Sequence, residues 1–90
     1  MDPDIHKMTY FATFFSHFGA TRYKQLCDAA GIPCRVMPVP RELSSSCGTC
    51  VRCEGRWLRP EGETAEDVEQ VAAWDGARYT TVYHVDEKEG

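Results

Sequence analysis

A chain of ninety residues can close one core, and a thin one. Domains of this size bury about 60–65% of the surface of the unfolded chain. One sheet with one or two helices against it fills that volume. A large enclosed active site does not fit, so any chemistry is expected on a surface loop. The chain therefore reads as a single domain over residues 1–90, with a core at about 8–85 and flexible tails at 1–7 and 86–90. Its apolar and charged fractions are those of a globular protein rather than a disordered one.

Local patterns divide the core into elements. Residues 8–15 are dense in Tyr, Phe and Thr and read as a strand buried on both faces. Ser16 is placed to cap a helix whose buried stripe is Ala20, Tyr23, Cys27 and Ala30. Gly31 follows as its C′ residue and Pro33 prevents its return. Residues 34–38 form a second strand, held to an edge by Pro38 and Pro40, which cannot donate to a ladder. Residues 41–48 are a Ser- and Gly-rich loop, and 49–53 a third short strand. Pro60 and Gly62 interrupt the following stretch. Thr64 with Asp67 resembles a capping box for a second helix with Val68, Val71 and Ala72 on its buried stripe, closed by Gly76. Alternation over residues 78–85 gives a last strand. The order strand, helix, strand, strand, helix, strand predicts an α+β, ferredoxin-like βαββαβ fold, a four-stranded antiparallel sheet with two helices on one face.

The formal net charge of −4 argues against a general nucleic-acid binder. The acid clusters at residues 61–69 and 86–89, read as a solvated helix face and a solvated tail. The N-terminus is polar and acidic, unlike a secretory signal. The longest apolar stretch, residues 8–18, is broken by Thr9, Thr13, Ser16 and His17 and falls short of the ~20 residues a membrane helix needs. A cytoplasmic location with no membrane contact is the expectation.

In a reducing compartment, five cysteines read as reactive thiols or metal ligands rather than a disulfide framework. Cys47, Cys50 and Cys53 are spaced Cys-x-x-Cys-x-x-Cys, which leaves three readings open. They could hold Zn or an Fe–S cluster, with Cys34, His17 or His84 as a fourth ligand, but no fourth ligand lies at a diagnostic spacing. Cys47-Gly48-Thr49-Cys50 could be a thiol–disulfide pair, although thioredoxin-like folds place that motif after the first strand of their core unit. Or Cys47 could be one reactive thiol in a turn whose Ser44, Ser45 and Ser46 hydroxyls and backbone N–H groups form an anion-binding nest, with Arg41 the nearest cation. Cys27 and Cys34 read as small core residues, and Trp57 and Trp74 as packing.

Gly31-Ile32-Pro33 followed by Val39-Pro40-Arg41-Glu42-Leu43-Ser44-Ser45-Ser46-Cys47-Gly48 resembles the signature of the selenium/sulfur carrier-like family of small domains. The resemblance covers roughly residues 8–85. It implies a carrier rather than an enzyme, with no cofactor, holding a persulfide or selenopersulfide on Cys47. Arg41, Ser44, Ser45, Ser46 and Gly48 would surround that thiol. A donor such as a cysteine desulfurase and an acceptor protein would be its partners. Cys50 and Cys53 lie outside the short signature and keep the metal and disulfide alternatives open.

Overall fold

In a computed structural model of the protein, residues 8–85 are described; the expected tails lie outside them. The elements are β1 (Thr9–Phe14), α1 (His17–Ala29), β2 (Cys34–Pro38), β3 (Thr49–Glu54), α2 (Thr64–Asp67), β4 (Val68–Trp74) and β5 (Tyr79–His84). All five strands form one antiparallel sheet in the order β2-β3-β1-β4-β5. The architecture is α+β with two helices. The part β2-β3-β1-β4 has the order of a split βαβ unit.

The expected four-stranded sheet with two full helices is corrected in its second half. The second helix is a single turn, and its supposed apolar stripe is strand β4. Val68, Val71, Ala72 and Ala73 are all buried in β4, an interior strand paired by β1 and β5, with Val68 and Val71 in the core under α1. A strand covered on both faces carries a near-continuous apolar run, which three- and four-residue spacing alone does not separate from a helix. Bulges between Thr13 and Phe14 and between Val71 and Ala72 shift the register and blur the two-residue period further. Thr64 is not an N-cap: Glu63 holds that position without a side-chain bond, and the Thr64 hydroxyl closes a turn on Glu61. Gly76 turns β4 into β5 instead of ending a helix. Its φ is 99°, and Asp75 Oδ1 accepts from the amides of Ala77 and Arg78.

The first half follows the pattern of its residues. Ser16 Oγ accepts from Gly19 N at 3.2 Å, Ala30 is the C-cap, and Gly31 continues at φ 78°. Tyr10, Ala12 and Phe14 of β1 meet α1 through Ala20, Tyr23 and Cys27, with Val51, Cys53, Val71 and Tyr83 beside them. Tyr23 anchors the irregular stretch after β3: its hydroxyl donates to Leu58 O at 2.7 Å and accepts from Leu58 N at 3.0 Å. Phe11, Thr13, Cys50 and Ala72 lie on the opposite face and are also buried. Among the described residues no helix is long and apolar enough to cross a membrane.

α1 and α2 meet at a glycine. A Cβ built on Gly19 would lie 2.8 Å from the Asp67 Cβ. Asp67 cannot retreat, because its carbonyl accepts from Phe15 N at 3.1 Å and its carboxylate pairs with Arg22 Nε at 3.2 Å. Gly19→Ala would gain ~1 kcal/mol of helix propensity. The overlap, at ~1–3 kcal/mol for a packed contact, should outweigh it. We expect a net loss of stability in urea unfolding, and no loss for Thr21→Ala on the exposed side of the same helix.

Candidate functional site

Residues 39–48 connect two strands and cross one end of the sheet. Val39 N donates to Gly48 O at 3.1 Å, adding one rung to the ladder of β2 and β3, and Leu43 N donates to Pro40 O at 3.0 Å in a turn. Glu42 lies within electrostatic range of the Tyr79 phenol. Gly48, at φ 74°, makes the reversal into β3 that a side chain would strain.

Ser45 and Ser46 are structural anchors. Ser45 Oγ donates to Phe14 O at the end of β1, 3.2 Å away, and accepts from Cys47 N at 3.4 Å. Ser46 gives both its amide and its hydroxyl to the Glu69 carboxylate, at 2.9 and 2.7 Å. The amides of Ser46 and Cys47, two of the donors expected to form an open anion nest, are therefore occupied by side chains. Ser44 and Arg41 are exposed, and their side chains form no hydrogen bond or ion pair with described residues. Glu69 was hidden in the sequence as one more acid of the 61–69 cluster. Only the placement of β4 beside β1 brings it under the loop.

Cys47 is half-buried at the junction of the loop, the end of β1 and the start of α1. It packs against the core on the α1 side, and its thiol donates to Thr49 O at 3.6 Å, with Ser45 Oγ at 4.0 Å. Thr49 is held in turn by His17: Oγ1 and Nδ1 are 2.8 Å apart. His17, at the start of α1, is thereby tied to the first residue of β3, next to the end of the loop. Phe15 and Phe18, 45% and 67% exposed, flank His17 and leave apolar surface at this end.

The other two cysteines of the motif diverge. Cys50 and Cys53 lie three residues apart in one strand, so they face opposite sides of the sheet. Cys50 is buried on the face away from α1. Its thiol donates to Pro38 O at 3.7 Å, and burial, with Cys47 nearby, pushes it up to about 11. Cys53 faces α1, with its sulfur 3.8 Å from that of Cys27. The spacing that suggested one ion bound by Cys47, Cys50 and Cys53 is strand spacing, which sends two of the three sulfurs apart. Among the described residues no group of three or more His, Cys, Asp or Glu side chains is placed to hold a metal ion. All five cysteines are free thiols.

The family described as "Putative Se/S carrier protein-like" matches residues 9–83, which spans all five strands and the whole loop. No curated protein and no solved structure gives a significant match.

The Glu69 contact makes a local prediction. Hydrogen bonds to a charged acceptor contribute ~1.5–3 kcal/mol, and less where water competes. Glu69→Ala should speed amide exchange at Ser46 about tenfold, the effect of losing ~1.4 kcal/mol. Glu69→Gln should recover part of the protection. Unchanged exchange at Ser46 would show that the clamp is not formed in solution.

Proposed function

Because the chain belongs to the Se/S carrier protein-like family, we propose that it is a non-enzymatic carrier that holds a sulfur or selenium atom on Cys47. The single observation behind this reading is the place of Cys47 inside the family match. It is the one cysteine of the five in a loop, half-buried at a sheet end, while Cys50 and Cys53 are buried within a strand. A carrier needs a reachable thiol and a docking face, and the exposed Phe15 and Phe18 beside His17 supply apolar surface next to it.

In the loading step the Cys47 thiolate attacks the outer sulfur of a donor's persulfide. The bond between the donor's two sulfurs breaks, and the donor cysteine leaves as thiolate and takes up a proton. Cys47 then carries the persulfide. In delivery an acceptor nucleophile attacks that outer sulfur, and the Cys47 thiolate is the leaving group. A selenium atom would follow the same path. No net oxidation occurs in either step. Donor and acceptor are proteins in this reading, a cysteine desulfurase being the donor class that makes persulfides.

The disulfide alternative retains one support. The Cys47 and Cys50 sulfurs lie within electrostatic range of each other, although on different faces of the sheet. Intact mass separates the two readings. Incubation with a cysteine desulfurase and cysteine should add the mass of one sulfur atom, and Cys47→Ser should abolish the gain while Cys50→Ser keeps it. No gain with any desulfurase tried, or loss of two hydrogens in its place, would reject the carrier reading.

Arg41 enters as the free cation of the motif. Its segment, anchored by Pro40 and by the turn at Leu43, can bring the guanidinium to an anionic sulfur on Cys47. An exposed pair of this kind contributes ~0–1 kcal/mol, which corresponds to at most about fivefold in rate. Arg41→Ala should therefore slow iodoacetamide alkylation of Cys47 at neutral pH by about threefold, with the fold intact. Arg41→Lys should restore part of the rate, since a point charge lacks the planar fork of donors. Superimposable pH profiles for wild type and Arg41→Ala would remove Arg41 from the mechanism.

A further inference from the structure

Three of the five cysteines meet at the other end of β3, away from Cys47. Cys53, in β3, is the Cα partner of Cys34 in β2, and its sulfur lies 3.8 Å from that of Cys27 in α1. Cys34 lies within electrostatic range of Cys27. Cys27 and Cys53 are fully buried, whereas Cys34 is half-exposed at the edge strand β2, with its sulfur against α1.

Arg35 and Arg52, directly opposite each other on β2 and β3, lie on the face away from α1, so the charges beside the Cys34 sulfur are those of α1. Asp28, paired with Lys24 at 2.8 Å, accepts from the Cys34 thiol at 3.4 Å. Burial and that carboxylate push the thiol up to about 11, so exchange through Cys34 speeds up as the pH rises.

We propose that Cys27, Cys34 and Cys53 form a thiol–disulfide exchange site for small disulfides, entered at Cys34 and ending in a disulfide between Cys27 and Cys53. The Cys34 thiolate attacks one sulfur of RS–SR, and the first RS⁻ leaves and is protonated. Cys27 attacks the Cys34 sulfur and releases the second RS⁻, which is also protonated. Cys53 then attacks Cys27 and returns Cys34 to its thiol. The sum is one protein disulfide and two RSH from two protein thiols and one RSSR. The contact between the buried pair favours this order, since the shared proton holds Cys27 below the usual thiol range and, with burial, pushes Cys53 up. The final bond lies in the core, out of reach of thiols in solution, and joins α1 to the sheet across 26 positions of chain.

Trypsin separates the outcomes because cleavage after Lys24, Arg35, Arg41, Arg52 and Arg56 places Cys27 and Cys34 in peptide 25–35, Cys47 and Cys50 in 42–52, and Cys53 in 53–56. The folded chain is incubated with oxidised glutathione, unfolded in an alkylating agent, digested and weighed. The expected product is 25–35 disulfide-linked to 53–56, with the melting temperature raised by roughly 5–10 °C. Cys34→Ser should give the same link about tenfold more slowly, which identifies Cys27 as the partner and Cys34 as the entry. The rate of link formation should rise about tenfold for each pH unit from 7 to 9, as the Cys34 thiolate fraction does. Absence of the link in the folded wild type would overturn the site. Absence of the link in both Cys34→Ser and Cys34→Ala, each folded by circular dichroism, would overturn the assignment of Cys27, and a rate independent of pH would overturn the entry at Cys34. Cys47→Ser should form the link unchanged, so the result does not depend on the carrier reading.

Discussion

The ladders that β1 makes on both its edges, with β3 on one side and β4 on the other, fix the position of every other element. Because Thr9 pairs with both Glu54 and Trp74, and Ala12 with both Val51 and Val71, the two halves of the chain share one reference strand. β1 must then be apolar on both faces, which its Phe, Ala and Thr residues provide. α1 crosses from β1 to the outer strand β2 and leaves a gap that β3 fills. The same strand ends at Phe14, whose carbonyl receives Ser45, so the loop bearing Cys47 is tied to the element that the whole sheet depends on.

The parity of β3 decides what each cysteine can do. Thr49, Val51 and Cys53 face α1, while Cys50 and Arg52 face the other side. One strand therefore distributes its thiols between two environments, and the loop holds a third. Each is defined by what surrounds it: carbonyls and hydroxyls for Cys47, an apolar sheet face for Cys50, other thiols for Cys53. A motif written as evenly spaced cysteines is spatially three separate positions.

Much of the first half was legible in the sequence, because its signals are local. Ser16 and Gly31 bound α1 through caps that depend only on their own backbone, and Pro38 and Pro40 mark an edge strand because proline lacks a donor. The second half was not legible, because β4 owes its conformation to neighbours on both sides. Val68, Val71 and Ala72 fit a helical stripe equally well until β1 and β5 are in place. The same gap hid Glu69. A carboxylate in an acidic run carries no mark of its function until the fold sets it opposite Ser46. The position of Cys47 was readable from its loop, whereas the contact of Cys27 with Cys53, 26 positions apart, required the tertiary structure.

Strand β3 is also a spacer. Its run from Thr49 to Cys53, four steps of ~3.3 Å, puts roughly 13 Å of strand between the end of the Cys47 loop and Cys53. A sulfur–sulfur bond spans ~2 Å, so no atom passes directly from one end of the sheet to the other. Two visiting molecules can thus occupy the domain at the same time without meeting, and traffic between its ends has to run through a second copy or through solution.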